Sequence, residues 1–303
     1  MEMISKEDLN VIQRQMYNKA RDIDVAVFNG LFEEDSKELV LDCLMMYMNR
    51  DGGFAHGLHI DNYNTNSSVY QTYEAFRILE MIGYDFACEN ELYLEIVNKA
   101  GNYIFNKSLA KDGLFNPLVI TNDKFAHGKK FDYTQNFKEI FGSHPTPAIL
   151  GYCFRFYKEN KVYYKKATKQ LDYVMNYLNN NELTSDDIIS FSSLLGSLKF
   201  KNIFVDYQKV INEKLINAAI SNQNFNYLVG LMHCDNIPQE LVEKLNLSLD
   251  ELIKSRAVHG LYEHNMDWNN NIYPEEASAS IKWIGAQTVN NIYLLKYYNR
   301  IEQ

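Results

Sequence analysis

Apolar residues recur at spacings of three and four along most of this 303-residue chain, and only five prolines and fourteen glycines interrupt them. This spacing is the period of an α-helix, and no persistent alternation of apolar and polar residues, which would indicate strands, accompanies it. The pattern predicts about ten to twelve helices. Among them are one that Ser67 or Ser68 caps and that ends at Gly83, one from Pro238 to Ile253, and a last one from Gly285 to Tyr298. No linker or change in composition divides the series, so we interpret residues 1–303 as one domain.

Three short segments carry the same turn signature, in which glycine ends a helical run and an aromatic residue comes two positions later. The segments are Asp51-Gly52-Gly53-Phe54, Asp112-Gly113-Leu114-Phe115 and His259-Gly260-Leu261-Tyr262. We predict that each glycine takes a positive φ and that each ring fixes the loop to the helix ends. Their spacing indicates a repeated unit of roughly 50 residues, which is typical of stacked or circular helical hairpins.

A second similarity joins the two ends of the chain, because Gln71-Thr72 and Gln287-Thr288 open matching apolar patterns. The terminal units of an open solenoid differ from the others, since each needs a polar outer face. Motifs shared by the first and last units therefore favour a closed ring. We predict an all-α fold, an α/α toroid of about six helical hairpins in a double-layered ring.

The run MYMNRDGGFAHGLHID, residues 46–61, resembles a helix-end motif of uncharacterised bacterial proteins that are similar to squalene cyclases and prenyltransferases. Further matches follow in the expected order: Leu114-Phe115-Asn116-Pro117, Pro145-Thr146-Pro147-Ala148, Asp267-Trp268, and Trp283 with Gly285, Thr288 and Val289. The resemblance implies a terpenoid cyclase-like toroid with a central cavity that binds an apolar, isoprenoid-like small molecule. Whether the chain also transforms that molecule is left open.

The reactive motifs of the characterised cyclases and prenyltransferases are missing from the sequence. The run from Asp22 to Val25 keeps half of the cyclase motif D-x-D-D, and Asp186-Asp187 lacks the remainder of D-D-x-x-D. No spacing matches the Asp, Cys and His ligands that hold zinc in protein prenyltransferases. The sequence therefore supports no cofactor and no metal, and it does not decide whether the chain is an enzyme.

The polar crossing from Asp51 to Asn66 contains the first group of candidate site residues. In a toroid such a link leads into an inner helix, so its side chains could reach the cavity. His59 and Asp61 are the candidates for catalysis, and the candidates for ligand contact are His56, Asn64 and, just beyond the crossing, Gln71. A metal held by the histidines and Asp61 and a purely structural crossing remain alternatives. If His59 and Asp61 are functional, changing either to alanine should remove ligand binding with little effect on melting temperature.

The middle polar region adds three candidates. Asn116 and His127 are predicted to contact the ligand, and His144 is a candidate general base, because imidazole titrates near neutral pH. Loop histidines are also commonly solvated, which is the structural alternative for both histidines.

The stretch from His259 to Trp283 supplies the remaining candidates, together with Gln287 just beyond it. Trp268, Trp283 and Gln287 are predicted to contact the ligand, and Glu275 is a candidate catalytic acid. The same stretch contains His264 and Asp267. An ordered loop anchored by the two tryptophans is the alternative. Closure of the ring should bring both indoles opposite residues 56–66.

The formal net charge of -9 argues against nucleic acid as the partner, since phosphate binding needs a basic face. No apolar run approaches the roughly 18 residues that a membrane span requires. The four cysteines lie far apart, which indicates reduced thiols and a cytoplasmic protein. The predicted partner is a small-molecule ligand, apolar or a glycan. A glycan hydrolase or lyase and a non-catalytic module that binds a peptide or protein are the alternative functions.

Overall fold

The computed structural model describes residues 1–108, 110–263, 268 and 273–302. Its helices are α1 (Lys6–Lys19), α2 (Asp22–Gly30), α3 (Lys37–Met45), α4 (Val69–Met81), α5 (Glu91–Asn102), α6 (Phe137–Phe141), α7 (Thr146–Phe156), α8 (Val162–Asn180), α9 (Ser185–Lys201), α10 (Val205–Ser221), α11 (Phe225–Val229), α12 (Gln239–Lys254) and α13 (Glu275–Tyr297). Two short strands, β1 (Ala110–Lys111) and β2 (Leu114–Phe115), pair antiparallel. His264 and Asp267 lie outside the described residues.

Hydrogen bonds that polar side chains accept from the backbone fix where several helices begin. The residues that cap α1, α4, α5 and α9 each accept a hydrogen bond from the backbone N–H three positions further on; they are Ser5, Ser68, Asn90 and Thr184. Each bond satisfies one of the backbone donors that a helix start leaves without an intrahelical partner. The cap at Ser68 fixes the start of α4, which follows the polar crossing directly.

Apart from the short helix α6, the helices alternate between an inner and an outer layer along the chain. The inner helices are α2, α4, α7, α9, α11 and α13, and all six contribute side chains to one central cavity. The outer helices α1, α3, α8, α10 and α12 each pack on an inner neighbour in sequence, and α5 packs on α3. The inner helices α2, α4 and α7 are buried on nearly every side, whereas the outer helix α12 buries a single stripe formed by Leu241, Leu245, Leu249 and Ile253.

The two ends of the chain meet and close the ring. Helix α13 packs on both α1 and α2, and the Ile4 backbone N–H donates to the Arg300 carbonyl at 2.8 Å. The predicted all-α toroid of about six hairpins is thus confirmed by the contacts of the chain itself. None of the described helices combines the length and the apolarity that a bilayer crossing requires.

Four helices differ from the sequence-based prediction, since α2, α6 and α11 lie where no helix is predicted and α13 begins earlier than predicted. Helix α13 begins at Glu275, so the prediction that it begins at Gly285 is wrong. Gly285 lies inside α13 because a Cβ there would come within 2.5 Å of the Ala20 Cβ, and glycine permits this close approach. Helix α2 was not predicted, since seven of its nine residues are buried and no one-sided apolar stripe marks it.

The three repeated turns have the predicted backbone conformation. Gly52, Gly113 and Gly260 have φ values of 92°, 76° and 89°. The aromatic residue of each turn is buried, and its backbone N–H donates to a threonine hydroxyl on an inner helix: Phe54 to Thr72 at 3.1 Å, Phe115 to Thr146 at 2.9 Å and Tyr262 to Thr288 at 3.0 Å. We call these three bonds the turn–threonine links. Each link attaches its turn to one inner helix: α4, α7 or α13.

Candidate functional site: the central cavity

The ring encloses a cavity of about 440 Å³, a volume within the range of small-molecule sites. Aromatic side chains form much of its wall: Tyr70, Tyr73, Tyr152, Trp283, Tyr293 and Phe225. Aliphatic side chains from every side of the ring complete it, among them Val27, Leu58, Ile78, Met81, Val289 and Leu294. The lining also includes Ile189 and Asn226, which are exposed, so the cavity reaches the surface between α9 and α11.

Every described carboxylate in the cavity lining is close to a cation. Asp24 accepts two hydrogen bonds of 2.8 Å from Arg21, and Glu74 accepts bonds of 3.0 and 2.9 Å from Arg77. Asp186 pairs with Lys130 at 2.6 Å, and Glu80 lies 3.6 Å from Arg155. The formal charges of the wall and its immediate partners therefore cancel.

The two glutamates of α4 experience opposite electrostatic environments. Burial alone would raise the pKa of Glu74, but nearby positive charge, chiefly that of Arg77, outweighs burial and holds that pKa below its ordinary value. Burial dominates at Glu80 and raises its pKa, with Arg155 opposing the rise. Glu80 also accepts a hydrogen bond from the Tyr293 hydroxyl at 3.3 Å. Glu74 is consequently a stable carboxylate at neutral pH, held within an ion pair.

His59 lines the cavity from the middle of the crossing. Its ring lies between three aromatic rings, with centroid distances of 4.8 Å to Tyr70, 5.1 Å to Phe131 and 5.6 Å to Trp283. The Asp61 backbone N–H donates to its Nδ1 at 3.4 Å. Burial lowers the pKa of His59, so the imidazole is neutral near pH 7. The ring retains accessible surface deep in the molecule because that surface faces the cavity.

His144 also lines the cavity but is almost fully buried, with 3% of its surface exposed. The rings of Tyr73 and Tyr70 lie 4.7 and 5.3 Å from its centroid. Within the described part of the chain, neither ring nitrogen has a hydrogen-bond partner. Burial lowers the pKa of His144 to about 4, which keeps the imidazole neutral.

Asp61 lies behind the lining and connects the crossing to the end of the chain. Its Oδ1 accepts hydrogen bonds from the indole Nε1 of Trp268 at 3.0 Å and of Trp283 at 2.7 Å. The backbone N–H of Trp268 in turn donates to Glu276 at 2.9 Å. Hydrogen bonds to this one carboxylate thus connect both tryptophans to the crossing. In this arrangement Asp61 orients the Trp283 ring that faces the cavity.

The remaining candidates of the crossing contact other parts of the loop. The His56 ring is exposed and donates from Nε2 to Asn49 at 2.9 Å. The buried Asn64 amide donates to Thr121 and Asn122, both at 2.8 Å. These two side chains hold loops together outside the cavity lining.

Five further candidates complete the set. On α13, Gln287 lines the cavity, whereas Glu275 is exposed in the first turn, outside the lining. Gln71 is fully buried on α4 outside the lining, and its amide atoms have no hydrogen-bond partner among the described residues. The Asn116 side chain accepts from the Leu118 N–H at 2.9 Å, and His127 donates from Nδ1 to the Phe125 carbonyl at 2.7 Å. The cavity lining therefore brings together His59, His144, Trp283 and Gln287.

The sequence reasoning missed the charged residues of the cavity wall. Arg21 and Asp24 stand three residues apart, as do Glu74 and Arg77. The available signal was a charged pair at that spacing in a mostly apolar helix, since residues three apart share one helix face. Among the described residues, no group of three or more His, Cys, Asp or Glu side chains is arranged to hold a metal ion.

Comparison with known proteins identifies few relatives. No protein-family model matches the sequence, and no curated protein matches it. Among solved structures, the chain is similar to the apo type II terpene cyclase MstE from Scytonema, with 11% identity, a TM-score of 0.48, and coverage of 91% of this chain and 87% of that chain. At that TM-score the likeness carries no argument of its own. The double ring of helices is established by the contacts described above.

Proposed function

We propose that this protein binds an uncharged, largely apolar small molecule of isoprenoid-like shape in its central cavity. The observation that carries the proposal is the cavity wall, to which all six inner helices contribute and in which aromatic and aliphatic side chains surround fully paired charges. A preformed concave site with an apolar wall and a few polar groups is typical of small-molecule binding.

The paired charges favour an uncharged ligand. The described cations of the lining are Arg21 and Arg77, and each already binds a carboxylate of its own helix or helix start. A diphosphate would need cations to offset its charge, and taking Arg77 from Glu74 would leave a buried carboxylate without its partner. An apolar body with at most one neutral polar group leaves both ion pairs intact.

The positions of the candidate acids support an apolar ligand over a glycan. Glycoside hydrolysis requires two carboxyl groups that face the same substrate. Glu275 is exposed outside the lining, and Glu276 accepts a hydrogen bond from the Trp268 backbone. Of the carboxylates that do line the cavity, Glu74 is engaged by Arg77. The arrangement fits an apolar ligand better than a chain of hydroxyl groups.

Calorimetric titration of the purified protein with farnesol, an uncharged isoprenoid alcohol, tests this proposal. Because Trp283 lines the cavity, tryptophan emission recorded in parallel should change as the site fills. We expect saturable one-to-one binding of farnesol, binding of farnesyl diphosphate weaker by about tenfold or more, and no binding of maltose. Tighter binding of the diphosphate or of maltose would overturn the proposed ligand class.

A pair of variants on α13 locates the binding. Ala286 lines the cavity, whereas Ala277 is exposed on the same helix. We expect Ala286→Phe to reduce farnesol affinity by about tenfold or more, because the added ring occupies cavity volume, and Ala277→Phe to bind as the wild type does. Both variants should first be shown to melt cooperatively. Equal affinity in the two variants would place the ligand elsewhere, and no farnesol binding by the wild type would overturn the proposed function.

A further inference from the structure

We infer that the ligand carries a hydroxyl or ether oxygen and that His59 donates a hydrogen bond to this oxygen from Nε2. The inference rests on the proposed function and adds to it the polar group of the ligand and its position. It depends on which hydrogen-bonding groups of the cavity wall already contact protein atoms and which remain available to a ligand.

The charged groups of the wall are already engaged with protein atoms. Arg77 donates to Glu74 and, at 2.9 Å, to Asn290. Arg21 donates to Asp24 and to the carbonyl groups of Gly57 and Leu58, at 2.9 and 3.1 Å. These bonds hold the crossing against α2 and the ion pair against α13, so they are part of the fold.

Gln287 and His144 are also poorly placed to hold the ligand oxygen. The Gln287 amide donates to Asn291 at 3.0 Å, one turn further along α13. Both ring nitrogens of His144 are fully buried, with the rings of Tyr70 and Tyr73 packed against the imidazole. His59 differs from His144 because part of its ring remains accessible from the cavity.

The contacts of His59 determine which nitrogen can donate. Because Nδ1 accepts the Asp61 backbone N–H, the proton of the neutral imidazole is on Nε2. The three surrounding aromatic rings fix the orientation of the imidazole. His59 therefore presents a neutral N–H donor to the cavity in aromatic surroundings. Its complement is an uncharged oxygen acceptor, since an ammonium group would meet a donor and a hydrocarbon would leave the N–H without an acceptor.

Three probes of one carbon skeleton test this assignment: farnesol, its methyl ether and the hydrocarbon farnesene. The ether can accept a hydrogen bond and cannot donate one. We expect the wild type to bind the alcohol and the ether about threefold to tenfold more tightly than the hydrocarbon, the range for one net hydrogen bond. In His59→Phe, which keeps an aromatic ring among Tyr70, Phe131 and Trp283, this preference should disappear while farnesene affinity stays within about twofold.

Two further variants separate the hydrogen bond from packing. His59→Gln places an amide N–H near the former Nε2 and should restore part of the preference for oxygen. His56→Phe alters an exposed histidine outside the lining and should keep the full preference. The melting temperature of each variant is measured first, so that a loss of folding is recognised.

The possible failures are distinguishable. If the wild type binds none of the three probes, the proposed function fails, and the inference fails with it. If it binds all three with equal affinity, or if His59→Phe keeps the preference, the donor role of His59 is overturned while the apolar cavity site stands. If the ether binds as weakly as the hydrocarbon, His59 does not donate, and the assigned direction of the bond is wrong.

Discussion

The turn Asp51–Phe54 and the segment Leu58–Asp61 lie only four residues apart in the same crossing, yet they contact different parts of the molecule. The turn has counterparts near Gly113 and Gly260, and each counterpart makes the same turn–threonine link. The sequence of the later segment, Leu-His-Ile-Asp, does not recur after those two turns. This segment contributes Leu58 and His59 to the cavity wall. The repeated turn makes a contact that assembles the ring, whereas the segment that is not repeated faces the cavity.

The two segments also differ in the kind of contact that each makes. The turn is held by backbone geometry, because Gly52 has a φ of 92° and the Phe54 N–H needs the Thr72 hydroxyl. The later segment is held by side chains, since one carboxylate oxygen of Asp61 accepts two indole N–H groups. Changes in the turn should therefore alter stability alone. Changes in the later segment should alter the tryptophan environment and binding as well.

The largest expected effect is at Gly52. A Cβ at this position would meet the Lys99 carbonyl oxygen of α5, and the positive φ disfavours any side chain. We expect Gly52→Ala to lower the free energy of unfolding by about 4 kcal/mol, because strain and a backbone clash combine. Urea unfolding followed by circular dichroism measures this loss.

Gly83 provides the matched control for Gly52. It has a φ of 87°, and a Cβ there would have open space, with the Lys37 Nζ as its nearest neighbour at 3.8 Å. Gly83→Ala should therefore cost only the conformational strain, about 1 kcal/mol. Equal losses at the two glycines would mean that the close approach of the turn to α5 does not contribute to stability.

Asp61→Ala should have the next largest effect. The variant leaves the indole N–H groups of Trp268 and Trp283 without their acceptor, and we expect a loss of about 3 kcal/mol in the free energy of unfolding. This expectation departs from the sequence-based one, in which Asp61→Ala left the melting temperature nearly unchanged. Because the chain contains only two tryptophans, its emission spectrum should also shift.

Glu275→Ala is the control for Asp61→Ala. It removes an exposed carboxylate from the same helix that carries Trp283, and it should cost less than about 1 kcal/mol. Tryptophan emission should remain that of the wild type. A stable Asp61→Ala protein with unchanged emission would show that the two indoles do not depend on the carboxylate.

The cavity wall should also respond to acid through His144. The folded pKa of about 4 lies below the value of roughly 6.5 for an unfolded histidine, so the unfolded state takes up the proton first. This contribution to stability is complete above about pH 6.5 and is lost as the pH falls toward 4. At pH 5 the loss is about 2 kcal/mol.

His144→Phe removes the titrating group and keeps an aromatic ring beside Tyr70 and Tyr73. The decrease in the free energy of unfolding between pH 7.5 and pH 5.0 should become smaller by about 2 kcal/mol in this variant. Urea unfolding at the two pH values measures the change. The same decrease in the variant and the wild type would show that His144 does not contribute to acid sensitivity.

Much of the architecture could be predicted because its signals are local. Apolar spacing located α4 and α12, and glycine followed by an aromatic residue located the turns at Gly52 and Gly260. Helix α2 could not be predicted, because its residues are buried on nearly every side and its sequence therefore shows no one-sided apolar stripe. The use of Asp61 could not be predicted either. Loop spacing does not determine whether a carboxylate faces the cavity or accepts hydrogen bonds from indoles supplied by the far end of the chain.

The smallest expected effect concerns the turn–threonine links and tests whether the three turns are equivalent. Thr72→Val keeps the shape of the side chain and leaves the buried Phe54 N–H without its acceptor, which should cost about 1 to 2 kcal/mol. Thr146→Val and Thr288→Val should cost similar amounts, because they remove the same bond. In Thr168→Val the hydroxyl lost donates only to the Tyr164 carbonyl, so this control should stay near the wild type.

All four variants should bind farnesol as the wild type does. A loss of farnesol affinity in Thr72→Val at unchanged stability would mean that the turn and the cavity segment do not act separately.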